Sequence, residues 1–492
     1  MHELPFLAQF LQLFPKRGKG TPIPGCHRHP DFRVANQGAR MVWAAWGEGQ
    51  LPWCVEGFPK APWSHFIQPM PTVGRKMRLA LPCLGLDALG AGLLEINWDA
   101  FEVAYAHDID ASLAQALVLM HGERAACFQI GHHGDLLACN VQEWDRVDWV
   151  IAGPPCPPFS TIGDHKLAPQ DDPRERLFRK VTEIIIHQGK LRCFGFVIEM
   201  VEGIAHRSWE QNYLSAWLQT LAEQAPMYHI HVWALNSERY LPQHRPRIYT
   251  VGVLRELVGD LGMPPPAPHM AASCRASLGE LLNKGLKPVD ESHLSPQQKE
   301  NLSMMKPYLF HRWALSPSPG RCHGESGRFS PPIFCISVDR NPEKKFGSYF
   351  RCDDVVPTLR TGNEMLWLLK FAADGSVILS RCLHPVERLA LQGFAPELAS
   401  CMSKQTLVRA TGNSFTVPVV VDVFQRCMDA ISCSPILGVE MCKKPRKRAD
   451  EMAALLAKRR RINELREGIA LLDAELRLEE SHFRLLTSLG GP

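Results

Sequence analysis

The chain has 492 residues, 45% hydrophobic and 22% charged, with no apolar run long enough to cross a bilayer; this is the balance of a soluble protein with two to four folded units and no membrane partner. Its 16 cysteines are scattered without a Cys-x-x-Cys pair, which argues against a disulfide framework or a zinc site, so no metal is expected. A net charge of +4 leaves any nucleic-acid contact to local patches.

Residues 1–77 hold prolines and the tryptophans Trp43, Trp46, Trp53 and Trp63 without a helical or strand period, and are read as an appendage. Cys26, His27 and His29 cluster there, but no second ligand pair stands at a zinc spacing. The apolar start, Met1 to Phe14, lacks a basic region and a small-residue cleavage site, so it is a poor secretion signal. The acid-poor residues 1–40 leave an organellar transit peptide open.

From Arg78 strands and helices alternate. Leu79–Leu81 reads as a short strand, followed by a small-residue turn, Cys83-Leu-Gly85-Leu-Asp87-Ala-Leu-Gly90-Ala-Gly92, that leads into a helix. Phe101 to Asp110 is a second strand ending in the acids Asp108 and Asp110, with a helix from Ser112 to Met120. Phe128–Ile130 leads to Gly134-Asp135, and Val147–Ala152 is a buried strand ending in Gly153-Pro-Pro-Cys156-Pro-Pro-Phe-Ser160. Prolines fix φ and remove donors, so this loop is stiff and presents one thiol at the strand's carboxyl end, where open α/β sheets bind ligands. Phe194–Glu199 and Arg247–Val253 are further strands. The alternation predicts a doubly wound, Rossmann-like α/β sheet with its ligands along one edge. An acid ending the second strand, such as Asp108, can accept ribose hydroxyls, and Asp135 an exocyclic amine.

Residues 256–380 break this pattern, being rich in Pro, Ser, His and basic residues, and read as an irregular insertion with a few strands such as Pro332–Val338. The α/β pattern resumes at Arg381 with a turn and helix through Gln392-Gly-Phe394. A tight turn follows over Ala410-Thr-Gly412-Asn413-Ser-Phe-Thr-Val-Pro418, then a long apolar helix over Val419–Ile431. In the tail, Leu455, Ile462, Leu465, Ile469, Leu472, Leu476, Phe483 and Leu486 fall on steps of three and four residues, with Lys458 and Glu479 on the same seam. That predicts a short coiled coil or helical hairpin, with self-association through residues 455–486; a helix packed on the main body is the alternative. The basic run Lys443 to Arg448 reads as a nuclear-import signal or a phosphate contact. The expected division is 1–77 appendage, 78–255 core, 256–380 insertion, 381–433 closing part of the core, and 434–492 basic linker and coiled coil.

Taken in order, the small-residue turn, the strand-end acid, Pro-Pro-Cys156-Pro-Pro-Phe-Ser160, Glu199, Gln243-His-Arg245-Pro-Arg247, the polar insertion and Gly412-Asn413-Ser-Phe-Thr-Val-Pro418 resemble the cytosine-5 DNA methyltransferases over residues 78–432. The resemblance implies a methyltransferase that uses S-adenosylmethionine and acts on a cytosine flipped out of duplex DNA. It assigns Cys156 as the nucleophile at carbon 6 of the ring and Glu199 as the acid at ring nitrogen 3. Arg247 would hold the ring carbonyl, Arg245 would order the site, Gln243 would support the substrate loop, and Ser160 would touch backbone phosphate. Cys83, Gly85 and Asp87 would meet the methionine part of the cofactor and Asp108 the ribose. Asp135 would meet the adenine amine, Pro154 and Asn413 would line the cofactor site, and residues 256–380 would be the target-recognition region.

The chain departs from the family pattern at three places. The first turn carries Gly85 alone, Pro157 follows the cysteine where many members have Gln, and Met200 follows Glu199 where the family has Asn. A tRNA-directed cytosine-5 methyltransferase on the same fold is the nearest rival, though its Cys-Phe-Thr segment is absent. An inactive scaffold acting through the coiled coil is the second.

Overall fold

The computed structural model describes residues 75–96, 98–155, 159, 172–205, 213–258, 277–282, 290–314, 332–339, 350–351, 354–362, 365–372 and 374–432. The expectations for the amino-terminal appendage, Cys156, Ser160, the basic run and the heptad seam lie outside these residues.

Seven strands join in one sheet: β1 (Met77–Pro82), β2 (Phe101–Asp108), β3 (Phe128–Ile130), β4 (Trp149–Ala152), β5 (Gly195–Val201), β6 (Tyr228–Asn236) and β7 (Pro246–Leu254). Their order is β3-β2-β1-β4-β5-β7-β6. The first five are parallel, and β7 runs antiparallel to both β5 and β6. Parallel strands are covered on both faces, so they read as continuous apolar runs: Trp149, Val150, Ile151 and Ala152 are all buried. Because β1 pairs with β2 on one side and β4 on the other, the strand order reverses between β1 and β4. The crevice at their carboxyl ends is the switch point where such sheets take ligands.

The helices α1 (Ala88–Ile96) and α2 (Ala114–His121) follow the first two strands. Between β4 and β6 come α3 (Glu175–Lys190) and α4 (Tyr213–Gln224), neither of them among the expected elements. In α3 the buried residues Phe178, Val181, Ile184 and Ile185 recur at helical spacing, and each such side chain contributes about 1.5–3 kcal/mol on burial. The edge strand β6 was also missed, although Tyr228, Ile230 and Val232 alternate with His229 and His231 along it.

The insertion is more ordered than its composition suggests. A helix, α5 (Pro296–Ala314), packs with a second sheet of β8 (Phe334–Ser337), β9 (Phe350–Arg351), β10 (Leu366–Phe371) and β11 (Val377–Cys382), in the order β11-β10-β8-β9. Leu302, Met305, Leu309, Phe334, Ile336, Trp367, Leu369 and Phe371 form its own buried cluster.

The chain then returns to the main sheet through α6 (Pro385–Gln392), α7 (Lys404–Asn413) and α8 (Val417–Ser432). The α6 start was readable. His384 caps it by accepting from the Val386 N–H at 3.2 Å, Glu387 reaches back to the His384 N–H at 2.8 Å, and Pro385 stands in the first turn. Gly393, with φ 86°, ends it in the left-handed region. The tight turn expected over 410–418 is corrected. Ser403 caps α7, which runs through Gly412 to Asn413, and only Ser414, Phe415 and Thr416 separate it from α8. Gly412 is there for space and not to break the helix, since a Cβ on it would lie 2.5 Å from the Arg360 carbonyl carbon and the Thr361 nitrogen.

Candidate active site

The turn after β1 carries left-handed backbone at three alternate residues: Cys83 (φ 57°), Gly85 (φ 59°) and Asp87 (φ 49°). Only glycine adopts that region without strain, so the turn stores about 1–2 kcal/mol at each of the other two. Nothing lies within 4 Å of a Cβ built on Gly85, so the peptide borders open space in the crevice. Gly85 donates its N–H to Asp108 Oδ2 at 2.7 Å, and Asp108 Oδ1 accepts the Asp110 N–H at 2.8 Å. Burial pushes the Asp108 carboxyl above its ordinary range, against the pull of the Asp110 and Gly85 N–H groups. Asp135 lies one strand further, after β3, capping a short turn by accepting from Leu137 N at 3.0 Å. The resemblance therefore named groups that do sit along one edge: the Cys83–Gly85 turn, Asp108 and Asp135 end or follow adjacent strands. Asp87 does not face that edge. Its carboxylate is buried, accepts the Gly90 N–H at 2.8 Å and lies 3.0 Å from His121 Nε2, so it braces the turn from inside.

Two residues of this edge were missed. Ile109 is 66% exposed and Leu137 36% exposed, each two or fewer positions from an acid of the crevice. A large aliphatic residue left in water beside an acid suits a flat apolar ring with a polar rim. The available signal was Asp108-Ile109 and Asp135-Leu-Leu137, an acid followed at once by bulky apolar residues in a turn.

Across the switch point, β4 delivers Gly153 and the buried Pro154 to the root of the cysteine loop. At its far end Phe159 is buried against Phe178 and Tyr213, with ring centroids 5.5 and 4.7 Å away. On the next strand Glu199 is buried at 3% exposure, with Arg247 Nε 2.9 Å from its Oε1. The register opposes Val201 to Arg247 and Glu199 to Tyr249, so the acid and the guanidinium meet diagonally across β5 and β7. Tyr249, enclosed beside Glu199, has its phenol pushed well up, by burial first and by the Glu199 charge second.

The remaining members of the Gln-x-Arg-x-Arg segment hold the scaffold. Arg245 is almost fully buried and donates from Nη1 to Leu359 O at 3.2 Å, and from Nη2 to Gly412 O at 3.1 Å and Ser414 O at 2.7 Å. It ties β7 to the strand-like segment 354–360 and to the end of α7. Gln243, expected at the substrate, is instead enclosed: its amide donates to Leu391 O at 2.9 Å, and its position bridges to Val356. From so deep a position it braces α6 and the Val356 segment. Gln392 spans the closing turn, donating to Thr411 O at 2.6 Å and accepting from Thr416 Oγ1 at 2.8 Å. Asn413 ends α7 exposed, and nearby Arg409 ties this helix to Asp110 at 2.8 Å and to Ser112. Met200 is fully buried in β5 opposite Ile248, so the third departure is filled by packing.

The family model described as C-5 cytosine-specific DNA methylase matches residues 83–429. The chain belongs to that family. This cytosine-5 methyltransferase is 24% identical over 356 residues to a Type II methyltransferase, M.NlaX, of Neisseria lactamica, covering 71% of this chain and 95% of the relative. It is 23% identical over 300 residues to the Type II methyltransferase M.MspI of a Moraxella species, covering 61% and 60%. Among solved structures, the S. pombe Dnmt2 methyltransferase aligns at a TM-score of 0.44 and 16% identity, over 72% of this chain and 99% of that one. Family membership implies use of S-adenosylmethionine. The open cradle at Gly85, the doubly held Asp108 carboxylate and the exposed Ile109 and Leu137 fit that cofactor's polar, ribosyl and adenine parts.

Proposed function

We propose that this methyltransferase modifies carbon 5 of cytosine in DNA, through a covalent bond from Cys156 to a base flipped out of the duplex. The observation that carries the reading is the buried Glu199–Arg247 pair, one strand away from the loop that bears the cysteine. Cytosine is a poor nucleophile at carbon 5. Addition of a thiolate at carbon 6, with a proton supplied to ring nitrogen 3, moves electron density to carbon 5. Glu199 supplies that proton, and Arg247 holds the ring carbonyl where negative charge gathers. S-adenosylmethionine, when bound, supplies an electrophilic methyl group. The backbone of Cys83 and Gly85, with Asp108, Asp135, Pro154, Asn413, Ile109 and Leu137, holds it, and Ser160 contacts phosphate beside the flipped base. Loss of the carbon 5 proton to a base and expulsion of the thiolate then restore the ring. DNA is favoured as substrate by the description of the matching family model, C-5 cytosine-specific DNA methylase. Nuclear import through residues 443–448 and self-association through 455–486 are proposed from sequence alone.

The test is trapping on 5-fluorocytosine, whose fluorine blocks the final elimination. Full-length protein is incubated with S-adenosylmethionine and 5-fluorocytosine-containing DNA or RNA and resolved on a denaturing gel. A DNA adduct that Cys156→Ala abolishes, with cofactor affinity within a few-fold, is expected. An adduct with RNA alone would replace DNA by RNA as substrate. Absence of both from folded, cofactor-binding protein would leave the inactive scaffold.

A further inference from the structure

We propose that Phe415 is a positioning residue for the nucleophile, and that it acts by pressing its ring onto Gly153, the root of the loop that carries Cys156. The inference rests on the covalent reading of Cys156 given above. A Cβ built on Gly153 would lie 2.2 Å from Phe415 Cε1 and 2.8 Å from Cζ, so the ring edge occupies the space any side chain there would need. Gly153 does not use left-handed backbone, so this close approach is what demands glycine at the position.

The ring is held in place by its neighbours. Ser414 O accepts from Arg245 at 2.7 Å, and Ser414 Oγ donates to Ala410 O at 2.8 Å. On the other side Thr416 Oγ1 donates to Gln392 Oε1 at 2.8 Å and pairs with Ser237 Oγ at 2.7 Å. Phe415 is thus flanked by a carbonyl held from Arg245, just before β7, and by a Thr416 hydroxyl held from α6 and the turn after β6. The loop's other end is anchored by Phe159 against Phe178 and Tyr213. Met200, where the family has Asn, is buried and carries no hydrogen-bond donor, so it can hold this loop only by packing. Phe415 also links the closing segment, which bears Asn413, to the placement of the thiol.

The experiment compares full-length wild type, Phe415→Leu, Gly153→Ala and the double variant. It measures melting temperature, cofactor affinity, kcat and KM for DNA, and the rate of adduct formation on 5-fluorocytosine DNA. Phe415→Leu is expected to slow adduct formation and kcat about 10–100-fold, with cofactor affinity and KM for DNA within about threefold. Gly153→Ala should do at least as much, since its methyl group displaces the ring. The double variant should be no slower than Phe415→Leu alone, because the clash is gone. Wild-type adduct rates in Phe415→Leu, or independent, multiplying losses in the double variant, would overturn the proposal while leaving the covalent reading intact. If Phe415→Leu loses its fold, the Gly153→Ala rate at unchanged melting temperature decides. Failure of the wild type to trap on either nucleic acid would remove the covalent reading itself.

Discussion

The two arginines of the Gln-x-Arg-x-Arg segment should fail in different ways, and Arg245 offers the sharper test. Replacing Arg245 by Met keeps most of the side-chain volume and removes a guanidinium that serves the carbonyls of Leu359, Gly412 and Ser414. The bond to Ser414 O, at 2.7 Å, is short and charge-assisted; the two at 3.1 and 3.2 Å are weaker. A carbonyl left buried without a partner costs about 1–3 kcal/mol, and some rehydration and the apolar burial of Met offset part of the sum. A net loss of about 2–4 kcal/mol is expected, a large share of the roughly 5–15 kcal/mol that holds a domain folded. For a chain of this size that corresponds to a fall in melting temperature of about 2–4 °C. Because the freed carbonyls flank Asn413 and Phe415, cofactor affinity should fall as well, with Arg245→Lys intermediate since one ammonium reaches fewer carbonyls. Thermal unfolding followed by near-UV circular dichroism, with calorimetric titration of S-adenosylmethionine, measures both. A variant that melts within 1 °C of wild type and binds cofactor unchanged would refute the clamp.

Glu199→Gln should lower the methyl-transfer rate about 10²–10⁴-fold, read in single-turnover assays, while cofactor affinity stays within about threefold; a rate close to wild type would remove Glu199 as the proton source. Asp108→Asn replaces a charged acceptor by a neutral one that can serve fewer of its present donors, so cofactor binding should weaken about 10–100-fold by calorimetry, and an unchanged affinity would place the ribose elsewhere. Burial holds the His107 imidazole neutral, with its pKa lowered to about 4. Between about pH 6.5 and 4 the unfolded chain then binds a proton that the folded one refuses, so stability falls as pH drops through this window, by about 2 kcal/mol at pH 5. Urea unfolding at pH 7 and pH 5 should show that loss in wild type and not in His107→Gln; equal losses in both would contradict it.

The parallel half of the fold was legible because its strands are buried on both faces and end in residues of special chemistry. Asp108 and Gly153 mark strand ends where the pattern changes from apolar to polar or to small, while Glu199 stands out as an acid inside the apolar run of β5, which continues to Val201. The turn around Asn413 was misread because Gly412 looks like a helix stop, whereas its missing side chain makes room for the Arg360–Thr361 peptide. That need comes from a segment some fifty residues upstream and cannot be seen locally. Gln243 and Arg245 were singled out by motif. Their partners Leu359, Leu391, Gly412 and Ser414 are far along the chain, so only the fold separates the arginine that braces from the arginine that meets Glu199.

That separation bears on how the site assembles. The cofactor edge is built from local turns after β1, β2 and β3; of its main bonds, Gly85 to Asp108 joins neighbouring strands and Asp110 to Asp108 lies within one turn. The Glu199–Arg247 pair joins β5 and β7 ahead of the insertion, whereas the closing turn over Gly153 is held by Gln392 and by Arg245, the latter reaching across the whole insertion. Loosening the closing turn should therefore damage nucleophile placement before it disturbs the strand-end acids. The insertion's second sheet returns through segment 354–360, where Val356, Thr358 and Leu359 all bond to the Pro242–Arg245 stretch. A strain applied to that sheet thus reaches the arginine that holds the Gly412 and Ser414 carbonyls, just ahead of Phe415.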